Sequence, residues 1–113
     1  GKQALEEIVK TNTLIEEITG EPVRYIRPPY GSYSNSLLMQ INMTPVLWSV
    51  DPEDWNTDNT GQVVKSVVAN VKCGDIILLH DIYDSSVAAA LEIVDELKAK
   101  GFIFVTVDQL LLD

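Results

Sequence analysis

Apolar positions along this chain alternate between helical and extended spacing, with short polar or glycine-containing joints between. Leu5, Ile8, Val9, Ile15 and Ile18 fall on one helical stripe, interrupted at Asn12, and Gly20 followed by Pro22 supplies a stop. A surface helix is therefore predicted over 2–19. Residues 23–27 read as a short strand ended by Pro28-Pro29, whose rings restrict the backbone and remove the N–H donors that a ladder needs. Residues 34–41 read as a short helix with Ser34 available as its cap.

The near-continuous apolar run at 45–50 suits a strand buried on both faces, with Trp48 in the core. Helical spacing returns over 61–71 through Val63, Val64, Val67, Val68 and Val71, with Thr60 as the expected cap. So many valines weaken intrinsic helix propensity, so this helix is expected on tertiary grounds. Residues 75–80 form the clearest strand, and 86–100 the best helix, with Ser86 as cap, Lys98 and Lys100 near its end and Gly101 as stop. A last strand is expected over 102–107, then a turn capped by Asp108. The resulting α-β-α-β-α-β-α-β order predicts an α/β fold with about four parallel strands and flanking helices. It opens on a helix with no strand before it, as a piece of a longer fold would; four strands are too few to close a barrel.

Composition narrows the function. The chain has 113 residues, 46% apolar and 22% charged, which is ordinary for one globular domain. Eight basic residues, scattered singly, stand against 17 acidic ones for a net charge of −9. That surplus repels phosphate backbones and anionic headgroups, so neither nucleic acid nor a membrane surface is an expected partner. No apolar run approaches the ~20 residues of a membrane span. The first residues contain no apolar signal core, so no address is expected within this stretch. Cys73 is single and cannot form an internal disulfide. The only histidine is His80, which excludes a site built from two or three imidazoles of this chain.

In parallel α/β folds the chemistry gathers at the carboxyl ends of strands. Those positions hold Arg27-Pro28-Pro29-Tyr30-Gly31, Asp51-Pro52-Glu53-Asp54-Trp55 and His80-Asp81. Each has a plainer reading when taken singly. Arg27 can be a surface residue at a rigid turn, the Asp51–Asp54 stretch a solvated turn, and His80 a satisfied edge histidine. Together they place a cation, a carboxylate cluster with an indole, and the only imidazole on one rim.

Arg27-Pro28-Pro29-Tyr30-Gly31, Asp51-x-x-Asp54-Trp55 and Leu78-x-His80-Asp81 resemble, in order and separation, the last three motifs of the polysaccharide deacetylases, the NodB-homology or carbohydrate esterase family 4 group. Ile18-Thr19-Gly20 and Lys100-Gly101-Phe102 fit as flanks, so the resemblance covers the whole chain. It implies a distorted (β/α)7 barrel, of which residues 1–113 would be the C-terminal part. It also implies hydrolysis of N-acetyl groups on a peptidoglycan- or chitin-like glycan by a metal-activated water, usually on zinc. Under that resemblance Tyr30 donates its backbone N–H to the oxyanion after the rigid Pro28-Pro29 approach, and Arg27 tunes the catalytic base. Asp54 pairs with His80 as general acid, and Leu78 and Trp55 line the acetyl pocket.

The family's Asp-Asp pair and His-x-x-x-His pair have no counterpart in these residues. No metal is therefore expected on this chain alone; Asp51, Asp54, His80 and Asp81 are a poor match to zinc's preferred ligands. The resemblance places the protein outside the cell or at its surface, with an acetylated glycan as partner. Two other classes stay open: a non-catalytic glycan-binding module with Tyr30, Tyr33 and Trp55 as platform, and an assembly subunit whose open strand edges are buried by the rest of the barrel or by a second copy.

Overall fold

The computed structural model describes residues 2–28 and 34–111. The chain divides into two compact units, Gly1–Leu47 and Trp48–Asp113.

In the first unit, helix α1 (Lys2–Thr19) follows the predicted span and buries none of its residues. Its stripe stays open, with Ile18 76% exposed. The interruption at Asn12 has a structural reason: its amide donates to Met43 Sδ at 3.1 Å. Strand β1 (Tyr25–Ile26) pairs in parallel with β2 (Thr44–Pro45). The N–H groups of Thr44 and Val46 donate to the carbonyls of Arg24 and Ile26, both at 2.8 Å. Pro45 lies between them, so its missing N–H faces away from β1 and costs this pair nothing. Helix α2 (Asn35–Gln40) is capped as expected, Ser34 Oγ accepting from the Leu37 N–H at 3.2 Å.

In the second unit, α3 (Thr60–Asn70) and α4 (Asp84–Ala99) form the core. Val63, Val64 and Val67 of α3 are buried with Ala89, Ile93 and Leu97 of α4, and Ile77, Leu79 and Phe102 pack against them. The 89–93–97 spacing sets one α4 face over the valines, with Ala89 small enough to admit them closely. Burying side chains of this size is worth about 1.5–3 kcal/mol each, which is how a valine-rich segment becomes helical against its own propensity. At the end of α4, Gly101 adopts φ 95°. Its N–H bonds the Lys98 carbonyl and the Phe102 N–H bonds that of Leu97, both at 3.0 Å. This is the paired C-terminal closure that a left-handed glycine permits, and it turns Phe102 back onto the core.

Three expected caps differ. Asn59, not Thr60, caps α3, its Oδ1 accepting from the Gln62 N–H. Helix α4 starts two residues before Ser86, with Tyr83 at the cap position. Helix α5 (Val107–Leu111) is preceded by Thr106, whose Oγ1 accepts from the Gln109 N–H while Gln109 Oε1 accepts from that of Thr106. That reciprocal pair takes the capping role expected of Asp108.

The α/β class and parallel pairing are as expected, but the predicted strands are much shorter. The strand expected at 23–27 contracts to Tyr25–Ile26, and that at 45–50 becomes Thr44–Pro45 plus a parallel bridge from Val50 to Ile77, the only pairing within 75–80. Neither is Trp48 fully buried, so the 45–50 run is not a strand enclosed on both faces. The bridge is pinned by side chains: Ser49 Oγ donates to Asp75 Oδ1 at 3.0 Å and accepts from the Ile76 N–H at 2.9 Å. Residues 102–106 form no strand, and Ile103 is 85% exposed. Among the described residues nothing lies alongside them to complete a ladder, and an extended segment without a neighbour forms none. Together with Val71, Gly74, Ile77 and α4 they wall a groove of about 660 Å³.

Candidate active site

The turn that leads out of the Val50 bridge is built to bury one carboxylate. Asp51 Oδ1 accepts from the Glu53 N–H at 2.9 Å, Glu53 turns left-handed at φ 53°, and a 3₁₀ turn follows at Asp54–Asn56. Glu53 also closes that turn, its carbonyl accepting from the Asn56 N–H at 2.9 Å. The solvated-turn reading of 51–54 thus describes Asp51 and Glu53, while Asp54 points inward and is 1% exposed.

Three donors meet the Asp54 carboxylate. The His80 backbone N–H donates to Oδ2 at 2.7 Å and Ser86 Oγ donates to the same oxygen at 2.6 Å. His80 Nδ1 lies 2.8 Å from Oδ1. Burial by itself would push the Asp54 pKa up; the Ser86 hydroxyl, the ring and backbone N–H of His80, and the His80 charge outweigh it, so the group lies below the ordinary carboxylate value. Asp54 is consequently ionised near neutral pH, and the proton in its bond to the imidazole sits on Nδ1. The His80 side chain is 39% exposed whereas that of Asp54 is closed off. Nε2 takes no hydrogen bond among the described residues, so an oriented, partly accessible imidazole is left with one nitrogen for chemistry.

The other predicted residues are placed as follows. Trp55, next to Asp54, is 51% exposed, and Leu78 is buried two residues before His80. Arg27 belongs to the first unit, where its Nη2 donates to the Leu47 carbonyl at 3.2 Å. Pro29, Tyr30 and Tyr33 lie outside the described residues. Ser86 is the member of this cluster that sequence reasoning missed. A serine ahead of Val87-Ala88-Ala89-Ala90 reads as a helix cap, and only the fold shows its hydroxyl committed to Asp54.

A metal does not fit the donors that are placed. Among the described residues no three His, Cys, Asp or Glu side chains come together. Both Asp54 oxygens and one His80 nitrogen are already engaged in the cluster. Cys73 is exposed.

Comparison with known proteins adds the relationship. Residues 1–46 match the polysaccharide deacetylase family model. The chain is 43% identical over 109 residues to the peptidoglycan-N-acetylmuramic acid deacetylase PdaC of Bacillus subtilis, a match covering 96% of this chain and 23% of PdaC. The chain belongs to the polysaccharide deacetylase family. The solved PdaC structure superposes with a TM-score of 0.92, covering 96% of this chain and 54% of that one. The peptidoglycan-N-acetylglucosamine deacetylase PgdA of Listeria monocytogenes is 36% identical over 109 residues, again 96% of this chain and 23% of the relative. A CE4 family pseudoenzyme from Bacillus anthracis is 27% identical, with a TM-score of 0.82 over 95% of this chain and 39% of that one. The chain thus spans about a quarter of the two curated relatives and about half of the solved PdaC chain.

Proposed function

We propose that this chain is the C-terminal part of a glycan N-deacetylase catalytic domain, a parallel-strand half of a distorted (β/α)7 barrel, and that it supplies the general acid for amide hydrolysis. The observation that carries the reading is the buried Asp54 carboxylate 2.8 Å from His80 Nδ1. The family relationship supports the substrate class, an N-acetylated sugar of peptidoglycan or a chitin-like glycan, and with it a place outside the cell or at its surface.

The chemistry follows from the pair. Water adds to the acetyl carbonyl carbon, the tetrahedral intermediate collapses, and the C–N bond breaks to give acetate and the sugar amine. An amine is a poor leaving group unless it is protonated as the bond breaks. His80 donates that proton from Nε2, with the ring held through Nδ1 by the Asp54 carboxylate. In the same scheme the Tyr30 N–H, presented by Pro29, stabilises the oxyanion. Arg27 orients the base, and Leu78 and Trp55 receive the acetyl methyl. Activation of the water falls to groups outside the described residues, whose own donors do not fit the divalent metal that the family resemblance implies. The rest of the barrel is the partner this reading requires.

The test is acetate release by the intact protein carrying this chain, with N-acetylated glycan as substrate. His80→Gln should lower kcat at least 100-fold while glycan binding persists. Turnover unaffected by that substitution would overturn the general-acid reading, and glycan binding without any turnover in the unaltered protein would favour a binding module.

A further inference from the structure

Ser86 is a fully buried hydroxyl, 1% exposed, and it has left the capping position that its sequence context suggests. It occupies the third position of α4, and its Oγ lies 2.6 Å from Asp54 Oδ2. The order of the cluster is Ser86, then Asp54, then His80. The serine therefore touches the carboxylate rather than the imidazole, which rules it out as a nucleophile activated by His80.

A carboxylate can rotate about its Cβ–Cγ bond, and the roles of its two oxygens then exchange. Asp54 is prevented from doing so asymmetrically: Oδ2 receives both the Ser86 hydroxyl and the His80 backbone N–H, and Oδ1 is left for Nδ1. The hydroxyl comes from the first turn of α4, whose Ala89, Ile93 and Leu97 are locked in the core. The aim of the carboxylate is thereby referred to a helix anchored in the core of the unit, not to the loop that carries Asp54. A helix N-terminus also favours negative charge nearby.

We propose that Ser86 is a positioning residue: by fixing Asp54 Oδ2 to α4 it holds Oδ1 on His80 Nδ1, which keeps the proton on Nδ1 and Nε2 directed to the substrate. The inference rests on the general-acid reading for its consequence in turnover, but its structural part stands without it. With the hydroxyl removed, Oδ2 keeps only the backbone N–H. The carboxylate gains freedom to rotate, and its tendency to accept a proton rises because a hydrogen bond that favours the ionised form is gone.

The experiment compares Ser86→Ala with the unaltered sequence in the intact protein, with thermal unfolding confirming that the variant folds. His80 ring nitrogens, assigned by their disappearance in His80→Gln, are followed by ¹⁵N NMR, which reports the tautomer without turnover. One Nδ1–H tautomer is expected in the unaltered protein and averaged tautomers in Ser86→Ala. For turnover, kcat should fall roughly tenfold, the loss of one charge-assisted hydrogen bond. KM should be unchanged, and the acid limb of the kcat profile should move to higher pH. An unchanged His80 tautomer together with an unchanged pH profile would overturn the proposal. If His80→Gln leaves turnover intact, the general-acid reading fails instead, and the NMR comparison still decides the role of Ser86. Should Ser86→Ala not fold, Ser86→Cys, which keeps a weak donor at nearly the same volume, replaces it, with an intermediate shift expected and none overturning the proposal.

Discussion

Asp54 binds one histidine twice, accepting the backbone N–H of His80 on Oδ2 at 2.7 Å and lying 2.8 Å from ring Nδ1 through Oδ1. The double contact fixes the ring relative to its own main chain, so the imidazole has little freedom to turn without breaking a buried hydrogen bond. Asp54→Asn is nearly isosteric but can present only one acceptor oxygen to these donors. It should destabilise the fold by about 1–3 kcal/mol, measured by urea denaturation, because a buried donor is left facing an amide NH₂. Turnover of the intact protein should fall by more than the stability loss explains.

The low pKa of Asp54 has a consequence for acid stability. Burial opposes ionisation, but the Ser86 and His80 hydrogen bonds prevail, so the folded-state value lies below the 3.8 of a solvated aspartate. The folded protein then binds fewer protons than the unfolded chain, and stability rises with pH in that range. The Asp54 contribution is fully present above the unfolded value and is lost as pH falls through it toward the lower folded value. Urea midpoints measured from pH 6 downward should decline less steeply in Asp54→Asn than in the unaltered protein.

Gly101 offers a test of backbone geometry alone. It sits at φ 95°, and a Cβ added there would meet nothing within 4 Å. Gly101→Ala should therefore cost about 1–2 kcal/mol from strain without any clash. Gly101→Asn should cost less, since asparagine tolerates the left-handed region better. Thermal unfolding of the two variants compares them directly.

Leu97 and Ile103 are both large and apolar, yet one is 1% and the other 85% exposed. Leu97→Ala should remove about 2–5 kcal/mol by opening a cavity between α3 and α4.

Trp55, half exposed beside a buried Asp54, should matter to substrate and not to folding. Trp55→Ala is expected to raise KM for the glycan severalfold, with an unfolding midpoint close to that of the unaltered protein. A large loss of stability would instead assign the indole to the core.

Much of this protein is determined locally. The helices near 2–19, 60–70 and 84–99 follow from apolar periodicity and end where Gly20, Asn70 and Gly101 stand, because capping and stopping are decided by residues within one turn. The family relationship is likewise carried by sequence, in the family match over 1–46 and the 43% identity to PdaC over 109 residues. Strand extent is different, since a ladder exists only where a second segment lies alongside. A run such as Phe102-Ile103-Phe104-Val105 has the propensity and, among the described residues, no strand partner. The same holds for Ser86. Its spacing to helix α4 says cap, and nothing within a few residues reveals that Asp54, 32 positions earlier, takes its proton donor. Tertiary packing alone decided that, by setting the first turn of α4 against the 3₁₀ turn at Asp54–Asn56, where a buried carboxylate must be hydrogen-bonded to remain charged.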